Sequence, residues 1–106
     1  MNLWLDDLRP APPGWTWAKD QAEFARLVRR HVRALQAVDL DFFLTHGDSL
    51  ECCDALLAAC RDARRPLPRW ATHSSSDHGN HQLRERLAAH EAELAAWLEE
   101  WGREEP

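Results

Sequence analysis

Asp6 and Asp7 stand side by side at the end of a short apolar run, Leu3-Trp4-Leu5, and are followed at once by Leu8-Arg9-Pro10. An apolar run of this length is expected to be a buried strand, and two carboxylates at its end are placed to take a cation at the rim of a sheet. Asp39 and Asp41 interrupt a second apolar run, and His73 and Ser74 end a third. Parallel strands bring their like ends to one edge about 4.8 Å apart, so these six residues are expected to meet there. Uncompensated carboxylates in such a cleft repel one another, which a divalent ion or a cationic ligand would relieve. An all-oxygen cluster suits Mg²⁺ or Mn²⁺, with Ca²⁺ as the larger option. Asp39 and Asp41, two apart, are expected on one side of their strand.

Other residues suit an anion. His73 could donate to a phosphate oxygen or serve as general acid or base. Ser74, Ser75 and the amides ahead of the last helix could cradle phosphate. Arg9 is placed either to clamp phosphate or to pair with Asp6 or Asp7. Without a ligand, the same aspartates would only cap helices and end strands, and the serines would be an ordinary loop.

The elements that must position these groups alternate. Leu3–Leu5 is a strand, and the prolines of Pro10-Ala11-Pro12-Pro13-Gly14 make the next stretch a stiff loop walling the site. Trp15–Lys19 reads as a second strand. Asp20 and Glu23 form a capping box ahead of a helix over 21–33, with Arg26, Arg29, Arg30 and Arg33 on its solvated side. A third strand over 35–43 precedes a helix capped by Asp48 or Ser49, whose stripe holds Leu50, Cys53, Leu56, Leu57 and Cys60. Arg69–His73 is a fourth strand, Ser74–Asn80 a polar loop, and His81–Trp101 the longest helix. This alternation predicts an α/β domain with a small, mostly parallel four-stranded sheet and its site at the carboxyl ends of the strands.

At 106 residues the chain has room for one domain, and a net charge of −5 argues against binding duplex DNA. Cys52, Cys53 and Cys60 lack zinc-type spacing and are expected to be reduced packing residues. With no span of membrane length and no basic-then-apolar start, a cytoplasmic location is expected. Trp97 and Trp101 near the end of the last helix would suit a homodimer contact.

Leu5-Asp6-Asp7-Leu8-Arg9-Pro10, followed by Gly14-Trp15, resembles the opening motif of the cyclic-phosphate processing receiver domain family. Ala37-Val38-Asp39-Leu40-Asp41-Phe42 and His73-Ser74-Ser75-Ser76-Asp77-His78-Gly79 are similar to two later motifs of that family, in order and spacing. The resemblance implies a reduced receiver-like, flavodoxin-like three-layer fold. It also implies a divalent-cation pocket of Asp6, Asp7 and Asp39, with Asp39 near the phosphoacceptor position and His73 and Ser74 near phosphate. The implied activity is handling or hydrolysis of a cyclic phosphate on a nucleotide or RNA end; joined to the residue reading above, it makes Asp39 and His73 the expected catalytic pair and Arg9, Asp41, Ser74 and Ser75 the expected substrate side. Leu40 stands where the family has a His, and Ser76-Asp77 where it has Asn-Pro. A non-catalytic receiver-like module binding metal or phosphate is therefore the rival expectation, and a purely structural interaction protein a third.

Overall fold

Alternation along the first strand divides the molecule into two faces. In a computed structural model, which describes residues 1–104, β1 (Asn2–Leu5) buries Leu3 and Leu5 completely, while Asn2 and Trp4 on its other side are half-buried. β2 (Thr16–Ala18) lies parallel on one side of β1, and β3 (Ala37–Leu40) lies parallel on the other. A short antiparallel hairpin, β4 (Phe43–Leu44) and β5 (Gly47–Asp48), follows β3 as a separate unit. β6 (Arg69–Thr72) then adds parallel to β3, giving the sheet order β2-β1-β3-β6.

Helices α1 (Gln21–His31), α2 (Leu50–Asp62) and α3 (Asp77–Glu104) all cover the Leu3/Leu5 side. Phe24 and Val28 of α1, Leu56 of α2, and Leu83, Leu87 and Leu94 of α3 join Leu3, Leu5, Val38 and Leu40 in one buried cluster. At about 25 cal/mol per Å² of apolar surface removed from water, these side chains dominate the stability of the fold.

The α/β class, the four-stranded parallel sheet and the long C-terminal helix are as the sequence predicts. The layering differs. With the three helices on one face, the molecule has two layers rather than three. The ten-residue link over 6–15 contains no helix, so the connection that could place one on the opposite face is a proline loop. Trp4 and Trp17, register partners, occupy that face instead, with Trp15 set edge-on to Trp4 at 6.3 Å.

Local chemistry sets most boundaries. Asp20 caps α1 by accepting from the Glu23 amide at 2.8 Å, and the Glu23 side chain reaches back past the cap to accept from the Lys19 amide at 3.1 Å, a capping-box arrangement shifted by one residue. α1 ends at His31 and its tail is a 3₁₀ turn over Val32–Ala34. Asp48 caps α2 through the Leu50 amide at 2.9 Å. The helix ends with the Arg65 amide on the Cys60 carbonyl and the Arg64 amide on the Arg61 carbonyl, while Arg64 takes a positive φ of 55°. That conformation usually selects glycine and costs an arginine roughly 1 kcal/mol. Arg64 regains part of this by lying 4.6 Å over the Trp101 ring, as Arg61 lies 5.6 Å over Trp97. Both tryptophans thus have partners within the chain. α3 begins at Asp77, four residues before the predicted His81, because the Ser76 hydroxyl caps the Gly79 amide.

The three cysteines are buried and reduced, and burial pushes the Cys52 and Cys53 thiols up to about 12 and Cys60 up to about 11. Among the described residues no helix is long and apolar enough to cross a membrane.

Two outcomes are expected. A thiol reagent at pH 8 should leave all three cysteines untouched in the folded protein and modify them on denaturation; rapid labelling of the native state would contradict their burial. A Cβ on Gly79 would fall 2.7 Å from the Phe42 side chain. Overpacking of about 1–3 kcal/mol should therefore outweigh the roughly 1 kcal/mol gained in helix propensity, and Gly79→Ala should lower the melting temperature.

Candidate functional site

Asp6 leaves β1 at the carboxyl edge of the sheet and is 1% exposed. A buried carboxylate is tolerable only where its lone pairs are satisfied, and here they are. Oδ1 accepts from the amides of Leu8 and Arg9, each at 2.8 Å. Oδ2 accepts from Arg9 Nε at 2.9 Å and faces His73 Nε2 at 3.0 Å. Burial pushes the carboxyl up, but the Arg9 and Leu8 amides, His73 and the Arg9 charge outweigh it, so Asp6 titrates below its ordinary value.

His73 follows β6 and sits between two carboxylates, its Nδ1 lying 2.7 Å from Asp39 Oδ1. Only the imidazolium form donates from both nitrogens; a neutral ring would turn a lone pair toward one carboxylate. The imidazole stacks on Trp4 with centroids 3.7 Å apart and planes 7° from parallel. Trp4 in turn donates to the Arg9 carbonyl at 3.0 Å, and Trp17 donates to the Asp6 carbonyl at 2.7 Å. The indoles on the helix-free face therefore hold the turn that carries Asp6 and Arg9.

A cleft of about 520 Å³ opens beside this turn, with Asp6, Asp7, Arg9, Asp41, Ser74 and Ser75 in its lining. Asp41 is buried; its Oδ1 accepts from the Phe42 amide at 2.8 Å, and its Oδ2 lies 3.6 Å from the Arg9 guanidinium. Asp7 accepts from the Thr45 hydroxyl at 2.6 Å, which ties it to the β4–β5 hairpin. Arg9 also donates to the His73 carbonyl at 2.9 Å, so one guanidinium links β1, β3 and β6 at their ends.

The aspartates are grouped differently from the expected trio of Asp6, Asp7 and Asp39. Among the described residues, the ligand atoms that converge within 4.8 Å belong to Asp6, Asp41 and His73. β3 ends at Leu40, so Asp39 still lies within the strand and turns to His73, whereas Asp41 is past the strand and enters the cleft. The two do not work as a same-side pair. Ser74 and Ser75 line the cleft as expected, but part of the amide cradle is already used. The Ser74 amide donates to Asn80 Oδ1 at 2.9 Å, and the Ser76 amide donates to the Ser74 hydroxyl at 3.1 Å. Arg9 makes the ion pair to Asp6 that the sequence reading allowed. Trp4, Thr45 and Asn80 were not singled out for the site. The alternation of β1 carries the signal for Trp4, because it opposes Leu3 and Leu5; Thr45 and Asn80 have no comparable local signal.

Asp41, Asp6 and Asp7 offer the oxygen donors that a hard divalent cation takes, but on Asp6 the contacts to Arg9 and His73 would have to give way to it. Asp41 Oδ2 has only the long Arg9 contact, because that guanidinium is held by Asp6 and the His73 carbonyl at 2.9 Å each. The carboxylates of Asp6, Asp7 and Asp41 outnumber the one guanidinium among the lining residues, which makes the cleft net acidic.

Because the folded Asp6 carboxyl titrates below the unfolded value of about 3.9, its contribution to stability is present above that value and lost as pH falls through the folded one. Asp6→Asn should cost roughly 3 kcal/mol at neutral pH by leaving Arg9 and His73 without their carboxylate, and should flatten the acid limb of a pH–stability curve. Urea denaturation of both proteins from pH 7 to pH 3 tests this; parallel curves would contradict it.

No curated protein and no solved structure matches the chain. The family model described as the cyclic-phosphate processing receiver domain matches residues 1–89, which takes in every strand, α1, α2 and the first part of α3. With its parallel sheet, its acidic turn after β1 and this match over most of its length, the chain belongs to the cyclic-phosphate processing receiver domain family.

Proposed function

We propose that the cleft binds a divalent cation, Mg²⁺ or Mn²⁺, and through it a phosphate ester of the cyclic class, which it hydrolyses. The supporting observation is the excess of carboxylate over guanidinium in one cavity at the strand ends. Asp41, Asp6 and Asp7 would hold the ion, and when bound it supplies a Lewis acid and a counter-charge for phosphate. Arg9, freed from Asp41, would bind a non-bridging oxygen, and Ser74 and Ser75 line the same cleft. Asp39 holds the His73 ring by Nδ1, which leaves Nε2 directed at Asp6 and the cleft floor. That nitrogen would be the group to pass a proton toward the cleft by way of the Asp6 side.

A second reading, a module that binds phosphate without turning it over, draws on two observations. Leu40, at the family's His position, is fully buried in the core, so no proton donor comes from there. Both His73 nitrogens are also engaged by carboxylates.

Calorimetric titration with Mg²⁺ and Mn²⁺, alone and with inorganic phosphate, is the direct measurement. Asp41→Asn should abolish the heat of cation binding, while Asp39→Asn should keep it and slow turnover of 2′,3′-cyclic phosphodiesters about 100-fold or more by freeing the His73 ring. Absence of binding under every condition would sink the metal reading. Binding without turnover of any cyclic phosphodiester would favour the second.

A further inference from the structure

The two ends of the sheet carry opposite charge. At the carboxyl end the cleft sets Asp6, Asp7 and Asp41 against one guanidinium. At the amino end, where α1 and α2 finish and β3 and β6 begin, the chain places Arg29, Arg30, Arg33, Arg65 and Arg69. The arginine ion pairs among the described residues involve Arg9, Arg26, Arg61, Arg86 and Arg103, so none of the arginines at the amino end is neutralised by a carboxylate. Like charges gathered at one end repel one another, and an anionic surface laid against them relieves that repulsion.

The same two ends match in apolar surface. Leu8 and Phe43 are the large hydrophobic residues left exposed on the described surface, at 80% and 59%, and both line the acidic cleft. Phe43 is held edge-to-face on the buried Phe42 at 4.9 Å. Its hairpin is clasped by Gln21, whose side-chain amide donates to the carbonyls of His46 and Asp48 at 2.8 and 3.1 Å, so the cost of ordering the ring is met before any partner arrives. At the amino end a hollow of about 280 Å³ lies between the last turns of α1 and α2, with Val32, Ala59 and Ala63 as its apolar lining and Arg29, Arg33 and Asp62 as its polar lining. Its size, just under the roughly 300–1,000 Å³ of small-ligand pockets, suits one aromatic side chain. An exposed ring set among carboxylates at one end thus has its complement at the other. Because these surfaces sit at opposite ends of one rigid sheet, a chain cannot bring its own together.

We propose that the chain associates head to tail with a second copy of itself. Phe43 of one copy enters the hollow of the next at Val32, Ala59 and Ala63, and Arg29 and Arg33 of that second copy face Asp7 and Asp41 of the first. The two surfaces are different parts of the chain, so the contact is heterologous and either repeats into a row or closes into a ring. Two acidic ends repel, as do two basic ends, and the charge pattern therefore sets the polarity of the contact. A copy seated in this way covers the mouth of the cleft and brings guanidiniums to the carboxylates that a cation would use, so association shuts every cleft in an open row except the last. None of this rests on the cation reading above: the acidic lining and the exposed ring are enough, and separate experiments test the two.

Sedimentation velocity of the full chain, with EDTA present to keep divalent ions out of the cleft, is the test. From about 10 µM to about 1 mM the wild type should sediment progressively faster than a monomer, and raising NaCl from about 50 to about 500 mM should weaken the association about 10-fold or more. Phe43→Ser and the double variant Arg29→Glu/Arg33→Glu, all at exposed positions, should each stay monomeric with the wild-type circular dichroism spectrum. Mixed in equal amounts, the two should form a dimer and stop there, because the first keeps its basic end and the second its acidic end. A wild type that remains monomeric throughout would overturn the proposal, as would either variant assembling like the wild type. A mixture that stays monomeric would overturn it too, since that is the behaviour of a contact between identical surfaces.

Discussion

The buried carboxylate of Asp6 is the constraint on which the rest of the structure depends. An ion this far from water needs every lone pair answered, and the answers come from Leu8, Arg9 and His73, residues that lie next to it in sequence or far from it. The turn after β1 must curl back for the two amides, β6 must sit close enough for the imidazole, and Arg9 must fold inward. Those three requirements fix the shape of the cleft. The tryptophans follow from the same need, since Trp17 and Trp4 each hold a carbonyl of this turn and Trp4 is the floor on which His73 lies.

The two-layer architecture suits this arrangement. A helix between β1 and β2 would cover the face where Asp39, His73 and Trp4 meet, and would lengthen the connection that now brings Asp6 and Arg9 to the rim in four residues. A proline-rich link gives a short, stiff route with little backbone entropy to lose. The indoles shield the imidazole–carboxylate contacts from water on that face and strengthen them. Helical cover has been exchanged for a site held from below.

How much of this could be read from the chain depended on how local the determining interaction was. The capping box of Asp20 and Glu23, the sheet class and the packing role of the cysteines were legible, because each rests on residues a few positions apart or on strict alternation. The gathering of Asp6, Asp41 and His73 at one edge was legible as topology. The division of labour between Asp39 and Asp41 was not, since it turns on β3 ending at Leu40, which is decided by where the chain meets the hairpin and α2. The hairpin was missed because two-residue strands have no period to detect. The layer count was missed because nothing in the sequence of α3 says which face of the sheet it will choose. Ser74 to Asn80 read as loop from composition, although Ser76 is a helix cap.

The cleft draws its groups from three strand ends, at residues 6, 39–41 and 73, so no contiguous piece of the chain contains it. β1 in the middle of the sheet cannot set Asp6 until β3 has docked beside it, and β3 cannot set Asp39 against His73 until β6 has arrived. Recognition and folding are consequently one equilibrium here. Whatever occupies the cleft adds its binding free energy to the whole sheet, and an opening of β6 at the sheet edge dissolves the site together with the part of the core that Trp70 covers.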